Sequence, residues 1–237
     1  MSDKNQKSAL ILLARLDSQR LPGKGLKDLN GRPVLGRTVD RLRRCMQVND
    51  IILATSNRPI DDALEEFATD ENIKIFRGDA HDVAGRCLAC CQTFGLNWFV
   101  RICGDSPFVD PVIVDEVAST FKANDCDIAT NVFPRGYPIG ASAEAISTTA
   151  LQTICERTDD LEYLEHVTFY AYEHAQDFDI INVPPKDDHY ADFSIAVDTA
   201  KELEMARWIT AALNDTTRAT LDEVLAQAEI WKQKNSK

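Results

Sequence analysis

Residues 8–27 read Ser8-Ala9-Leu10-Ile11-Leu12-Leu13-Ala14-Arg15-Leu16-Asp17-Ser18-Gln19-Arg20-Leu21-Pro22-Gly23-Lys24-Gly25-Leu26-Lys27. Ala9 to Ala14 is an unbroken apolar run of the length expected for a strand buried on both faces. It stops at Arg15. From there to Lys27, four cations (Arg15, Arg20, Lys24 and Lys27) stand against one anion, Asp17. Pro22 and Gly23 mark a turn, and Gly23 lets the backbone come close to a ligand. Loops after parallel strands are where α/β proteins hold phosphates. The whole chain carries a formal net charge of -12, so this local excess of positive charge points to a small, highly charged anion such as a nucleoside triphosphate. Lys24 offers a point charge, and Arg15 and Arg20 offer paired hydrogen bonds. A loop charged only for solubility is the plainer alternative, and the position at the end of the first strand argues against it.

Beyond this loop, apolar runs alternate with amphipathic stretches. The runs at 9–14, 51–55, 73–76, 98–102, 127–131, 178–183 and 193–197 read as strands. Helical spacing is present at 34–46, 60–69, 83–94, 111–122, 148–157, 200–213 and 221–234. The alternation predicts an α/β fold with a mainly parallel sheet, a single domain spanning 1–237. Residues 132–147 break the rhythm. Pro134, Gly136, Pro138 and Gly140 crowd there, which reads as an excursion serving as a lid or dimer arm, with a possible strand at 141–146.

Two aspartates follow apolar runs. In Arg101-Ile102-Cys103-Gly104-Asp105-Ser106-Pro107, Gly104 permits a tight turn at the strand's C-terminal edge and Asp105 then faces the ligand crevice. In Ala196-Val197-Asp198-Thr199, Asp198 taken alone serves equally well as a helix cap. Together the two suit magnesium, which is typically held by one or two carboxylates plus substrate phosphates. Asp125-Cys126-Asp127 precedes a strand and reads as a turn. The acidic pairs Asp61-Asp62, Glu65-Glu66 and Asp159-Asp160 read as solvated faces, and Cys103 as packing.

The stretch from Ala14 to Lys24 resembles the N-terminal signature of the sugar-acid cytidylyltransferases, which activate sialic-type and 3-deoxy-octulosonic acids, and is closest to their spore-coat SpsF-like branch. Ala54-Thr55-Ser56, Phe76-Arg77-Gly78, Asp82-Val83, Arg101 to Pro107, Glu165-His166-Val167-Thr168 and Val197-Asp198-Thr199 resemble that branch in the same order. The resemblance implies a three-layer α/β/α sandwich of nucleotidyltransferase type, CTP as donor, a sugar acid as acceptor, magnesium as cofactor and a homodimer built through the excursion. It assigns the triphosphate to Arg15, Arg20 and Lys24, the metal to Asp105 and Asp198, the nucleoside to Ala14, Ser18, Thr55, Ser56 and Arg77, and the ribose or sugar to Arg86. His166 either lines the acceptor site or packs a helix. One stretch departs from the branch. After Arg135-Gly136-Tyr137-Pro138, the usual Asp-Gly-x-Asp-Val-Glu is replaced by Ile139-Gly140-Ala141-Ser142-Ala143-Glu144, so two carboxylates are lost near the implied acceptor. A glycosyltransferase using a nucleotide-sugar, and a non-catalytic nucleotide-binding relative, are the alternatives on the same fold.

Composition sets the outer limits. Hydrophobic content of 44% and charged content of 27% are ordinary for a globular protein. No apolar run approaches the roughly 20 residues needed to span a bilayer, and the polar N-terminus argues against a signal peptide. The acidic balance argues against broad nucleic-acid binding. Seven scattered cysteines, an odd number, fit reduced thiols in a cytoplasmic protein. Cys87, Cys90 and Cys91 include a C-x-x-C spacing without a second ligand pair, so helix packing is favoured there over zinc.

Overall fold

The computed structural model describes residues 6–186 and 190–235. Seven strands, β1 (Ser8–Leu13), β2 (Ile51–Ser56), β3 (Lys74–Gly78), β4 (Trp98–Cys103), β5 (Ile128–Thr130), β6 (Glu144–Ser147) and β7 (Ile180–Asn182), form one sheet in the order β3-β2-β1-β4-β6-β5-β7. β1 pairs in parallel with β2 and with β4, and β2–β3 and β5–β7 are parallel; β6 runs antiparallel to both β4 and β5. The chain leaves β1 in one direction to build β2 and β3, then returns to the other side of β1 as β4. That reversal leaves a crevice beyond the C-terminal ends of β1 and β4, the usual ligand position in open α/β sheets.

Both faces of the sheet are covered, which explains the continuous apolar runs. Successive residues of β1 alternate between two cores. Leu10 and Leu12 pack with Leu35 and Val39 of α1 (Val34–Leu42), Leu64 and Phe67 of α2 (Asp62–Asp70) and Val117 and Phe121 of α4 (Pro111–Ala123). Ala9 and Ile11 pack on the other side with Cys87, Cys90 and Cys91 of α3 (Val83–Phe94), Leu151 of α5 (Thr148–Arg157), Leu164 of α6 (Leu161–Glu165) and Ala171 of α7 (Phe169–Glu173). This is the three-layer α/β/α arrangement. The three α3 thiols are core packing, and burial pushes the Cys87 and Cys91 thiols up to about 12. A third core joins Ile195 and Val197 to α8 (Ala200–Ala212) and α9 (Leu221–Asn235).

Several boundaries differ from the sequence reading. Residues 193–197 are not a strand. Their single ladder contact is the Ile139–Ser194 bridge, because the segment lies off the sheet and turns its apolar side chains under α8 and α9. The helix expected to Met46 ends at Leu42, where Arg43 begins a tight turn. β7 keeps three residues of the six expected. The excursion rejoins the sheet as β6, the antiparallel strand that interrupts the parallel pattern. Asp61 corrects the solvated-face reading of its acidic pair, since it is fully buried, and Asp160 caps α6 by accepting from the Glu162 amide at 2.9 Å. Among the described residues no helix is long and apolar enough to cross a membrane.

Candidate active site

Beyond the ends of β1 and β4 lies a cleft of about 810 Å³ whose walls include Ala14, Arg15, Ser18, Arg20, Lys24, Arg86, Arg101, Cys103, Asp105, Glu165, His166 and Asp198. Its centre is a cation between two carboxylates. Lys24 Nζ donates to Asp105 Oδ2 at 2.6 Å and to Asp198 Oδ1 at 2.5 Å. Arg20 reaches the other oxygen of Asp198 at 3.1 Å. Burial alone would lower the Lys24 pKa, but the two carboxylates outweigh it and hold the ammonium above its ordinary value.

Local structure explains why these side chains are free to meet. Thr199 caps α8, accepting from the Glu202 amide at 3.3 Å, while Glu202 accepts from the Asp198 amide at 2.9 Å. This is a capping-box arrangement whose return bond falls on the residue before the cap, so the Asp198 carboxylate is not spent on the helix. Asp110 in turn caps α4, accepting from the Val112 amide at 2.9 Å, which leaves Asp105 free. A bond from the Val197 amide to the Asp105 carbonyl, 2.8 Å, ties the two aspartate segments together. Gly104 makes the close approach possible, since a Cβ there would stand 2.9 Å from the Leu13 carbonyl and from Ala14 Cβ.

The basic loop is anchored from beneath. Asp61 accepts from the Leu16 amide at 2.7 Å and from Ser56 Oγ. Arg58 pairs with Asp17 at 2.6 Å. Arg15 donates to the Ala80 carbonyl and forms a two-pronged pair with Glu165 at 2.7 and 3.2 Å. Ser18 Oγ accepts from the Leu21 amide at 3.3 Å.

The expected site residues therefore separate into two groups. Ala14, Arg15, Ser18, Arg20, Lys24, Arg86, Asp105 and Asp198 come together in the cleft. Thr55, Ser56 and Arg77 do not. Thr55 and Ser56 are fully buried beneath the β2–α2 turn, and Arg77 is spent on the Ser56 and Arg58 carbonyls and on Asp62 and Glu65. Arg86 is 2% exposed and donates to the carbonyls of Asp79 and Ala80. His166 lines the cleft while its ring meets Phe169 edge-on at 6.1 Å, and Cys103 lines it too. Asp125-Cys126-Asp127 lies elsewhere, Asp127 accepting from the Asp179 amide at 3.0 Å. Glu165 and Asp61 were missed as site-forming residues. Glu165 lies in a motif shared with the branch, but its pairing with Arg15, like that of Asp61 with Leu16, is not readable locally because each acts on the loop from far along the chain.

The sequence matches the model of the cytidylyltransferase family over residues 9–235. This chain belongs to that family. The cytidylyltransferase is 31% identical over 170 residues to the spore coat polysaccharide biosynthesis protein SpsF of Bacillus subtilis, covering 69% of each chain. It is 25% identical over 175 residues to 3-deoxy-manno-octulosonate cytidylyltransferase 2 of Hydrogenovibrio crunogenus, covering 73% of this chain and 68% of that one. A solved cytidylyltransferase from Leptospira borgpetersenii superimposes with a TM-score of 0.89 at 25% identity, over 98% of this chain and 96% of that one.

The altered stretch after Pro138 lies outside the cleft walls. Ile139 and Ser142 bridge to Ser194 and accept from Arg135 at 3.2 Å respectively. Glu144, the carboxylate that persists, is buried behind the cleft against Arg101.

Proposed function

We propose that this cytidylyltransferase transfers CMP from CTP to a sugar acid and releases pyrophosphate. The observation that carries the reading is the convergence of Lys24, Arg20, Asp105 and Asp198 at the C-terminal ends of β1 and β4. The sugar hydroxyl attacks the α-phosphorus. A new phosphorus–oxygen bond forms as the bond from the α-phosphorus to the α–β bridging oxygen breaks; that oxygen leaves with the pyrophosphate, and the hydroxyl proton passes to water. On this reading Lys24, Arg20 and Arg15, which line the cleft, neutralise charge growing on the leaving pyrophosphate, and in a partly enclosed cleft such fixed charges act strongly. Positioning supplies much of the remainder.

Asp105 and Asp198 are the residues that would hold magnesium. Both direct a carboxylate oxygen at one cation, the Lys24 ammonium, which the ion would displace toward the phosphates, and oxygen donors of this kind suit a hard divalent ion. When bound, the ion would supply charge neutralisation on phosphate oxygens and acidify a coordinated hydroxyl.

The acceptor we favour is an octulosonic or nonulosonic acid, in keeping with the names of the relatives, and we place the activated sugar in surface polysaccharide assembly. A homodimer is part of the same proposal, supported by exposed Phe133 and Ile139 on the excursion. So is residence in the cytoplasm, supported by seven free thiols. Melting curves with CTP, UTP, ATP and GTP, with and without magnesium, test the nucleotide site. A magnesium-dependent rise with CTP alone supports the reading. A flat response to all four would overturn it in favour of a nucleotide-sugar donor or a non-catalytic role.

A further inference from the structure

Arg101 stands apart from the other cations of the cleft. Arg15, Arg20 and Lys24 each pair with a carboxylate that itself lines the cleft, Glu165, Asp198 and Asp105. The partner of Arg101 is Glu144, which lies behind the wall with its side chain 2% exposed. Glu144 is also shared. Its Oε1 accepts from Thr168 Oγ1 at 2.7 Å and from the Tyr172 hydroxyl, and Tyr172 reaches on to Thr130 Oγ1 at 2.9 Å. Arg101 uses Nη1 for Glu144, while Nη2 meets only the Cys103 sulfur at 3.8 Å and Nε has no partner. A guanidinium has five donors, and a charged group this enclosed is costly to leave without acceptors. The counter-charge therefore sits on the protein side, and the partly exposed end of the guanidinium, where Nη2 has only a sulfur for partner, remains for a ligand in the cleft.

The neighbouring segment is built around the same network. Val167 adopts φ 51 while fully buried, a conformation that strains a β-branched residue and is held only by its surroundings. That turn sends His166 to the cleft wall and Thr168 to Glu144. Arg101, Cys103 and Asp105 are alternate residues on one side of β4 and its exit, and all three line the cleft. The anchor for a second anion thus lies on the same line as the proposed metal-holding aspartate, one strand over from the phosphate loop on β1.

We propose that Arg101, held by Glu144, Thr168 and Tyr172, binds the carboxylate of the acceptor sugar acid and so determines specificity for acids over neutral sugars. The inference rests on the cytidylyltransferase reading above. In a 2-keto sugar acid the carboxylate is attached to the carbon that carries the anomeric hydroxyl, so fixing one orients the other for attack.

The test compares wild type, Arg101→Lys and the double variant Arg101→Met/Glu144→Gln, which removes both charges of the buried pair together and avoids leaving one unpaired. Pyrophosphate release is measured with CTP and, as acceptors, 3-deoxy-manno-octulosonate, a nine-carbon 2-keto sugar acid and the C1 amide of each. Arg101→Lys is expected to raise KM for the acid roughly 10- to 100-fold, with KM for CTP within about twofold of wild type. The double variant is expected to lose the preference for acid over amide while keeping its CTP-induced rise in melting temperature. An unchanged acid-to-amide ratio, or a KM for CTP that rises as much as that for the acid, would overturn the assignment of Arg101 alone. A wild-type enzyme that releases no pyrophosphate with either acid would instead overturn the sugar-acid reading, and this inference with it.

Discussion

The ammonium of Lys24 bridges Asp105 and Asp198, at 2.6 and 2.5 Å, and thereby links the loop after β1, the turn after β4 and the segment before α8. These side chains are roughly one-fifth exposed, so their pairing contributes modestly to stability, about 1 kcal/mol or less. Their arrangement bears on turnover far more. Asp105→Asn and Asp198→Asn are each expected to lower kcat by about 10²-fold or more, the scale seen when preorganised charge is removed. Melting temperatures should stay within a few degrees of wild type. Near-normal kcat in either variant would remove that aspartate from the reaction.

Asp61 gives a loop-positioning prediction. It is fully buried and accepts from the Leu16 amide and from Ser56 Oγ. Asp61→Ala leaves both donors without an acceptor, at roughly 1–3 kcal/mol of stability. Because Leu16 adjoins Arg15, KM for CTP should also rise. Urea unfolding and steady-state kinetics measure the two effects; a stability loss with unchanged KM would confine Asp61 to a structural role.

Glu144 sets an acid limit. Burial pushes its pKa up, but Arg101, Tyr172 and Thr168 outweigh that and hold the carboxyl below its usual range. A group with a depressed folded pKa stabilises the protein above its unfolded value, about 4.3 for Glu, and that contribution disappears as pH falls through the folded value. Wild type should therefore lose stability below about pH 4.3 more steeply than Arg101→Met/Glu144→Gln, which lacks the pair. Parallel pH profiles of unfolding free energy in the two proteins would contradict this.

Arg41 makes a prediction away from the cleft. It is 1% exposed and donates to the carbonyls of Val109, Thr216 and Ala219 at 2.6, 2.6 and 2.8 Å. It fastens α1 to the turns before α4 and α9. Arg41→Met should destabilise by about 2–4 kcal/mol, because three acceptors lose a charged donor. KM for CTP should not change, and a selective rise in that KM would show coupling to the cleft.

Arg41 also marks how far the sequence carries. The apolar face of residues 34–46 was legible as a helix, but nothing in spacing distinguishes an arginine that enters the core from one on the surface. The basic loop, Asp105 and Asp198 were legible, since each lies at an abrupt change from apolar to polar residues. Asp198 was ambiguous as a cap until Thr199 and Glu202 took that role. Asp61, Glu165 and Glu144 were not legible, because their partners Leu16, Arg15 and Arg101 are 45, 150 and 43 residues away. The reading of 193–197 as a strand failed because apolar alternation is shared by a strand and by a segment packed under two helices.

Magnesium-dependent release of pyrophosphate from CTP in the presence of a sugar acid tests the central claim most directly, with Asp105→Asn as the control. The account predicts one pyrophosphate for each CMP-sugar formed, none without the acid, and near-complete loss in Asp105→Asn. Consumption of a CMP-sugar or another nucleotide-sugar without triphosphate, or tight CTP binding with no pyrophosphate from any eight- or nine-carbon sugar acid, would contradict it.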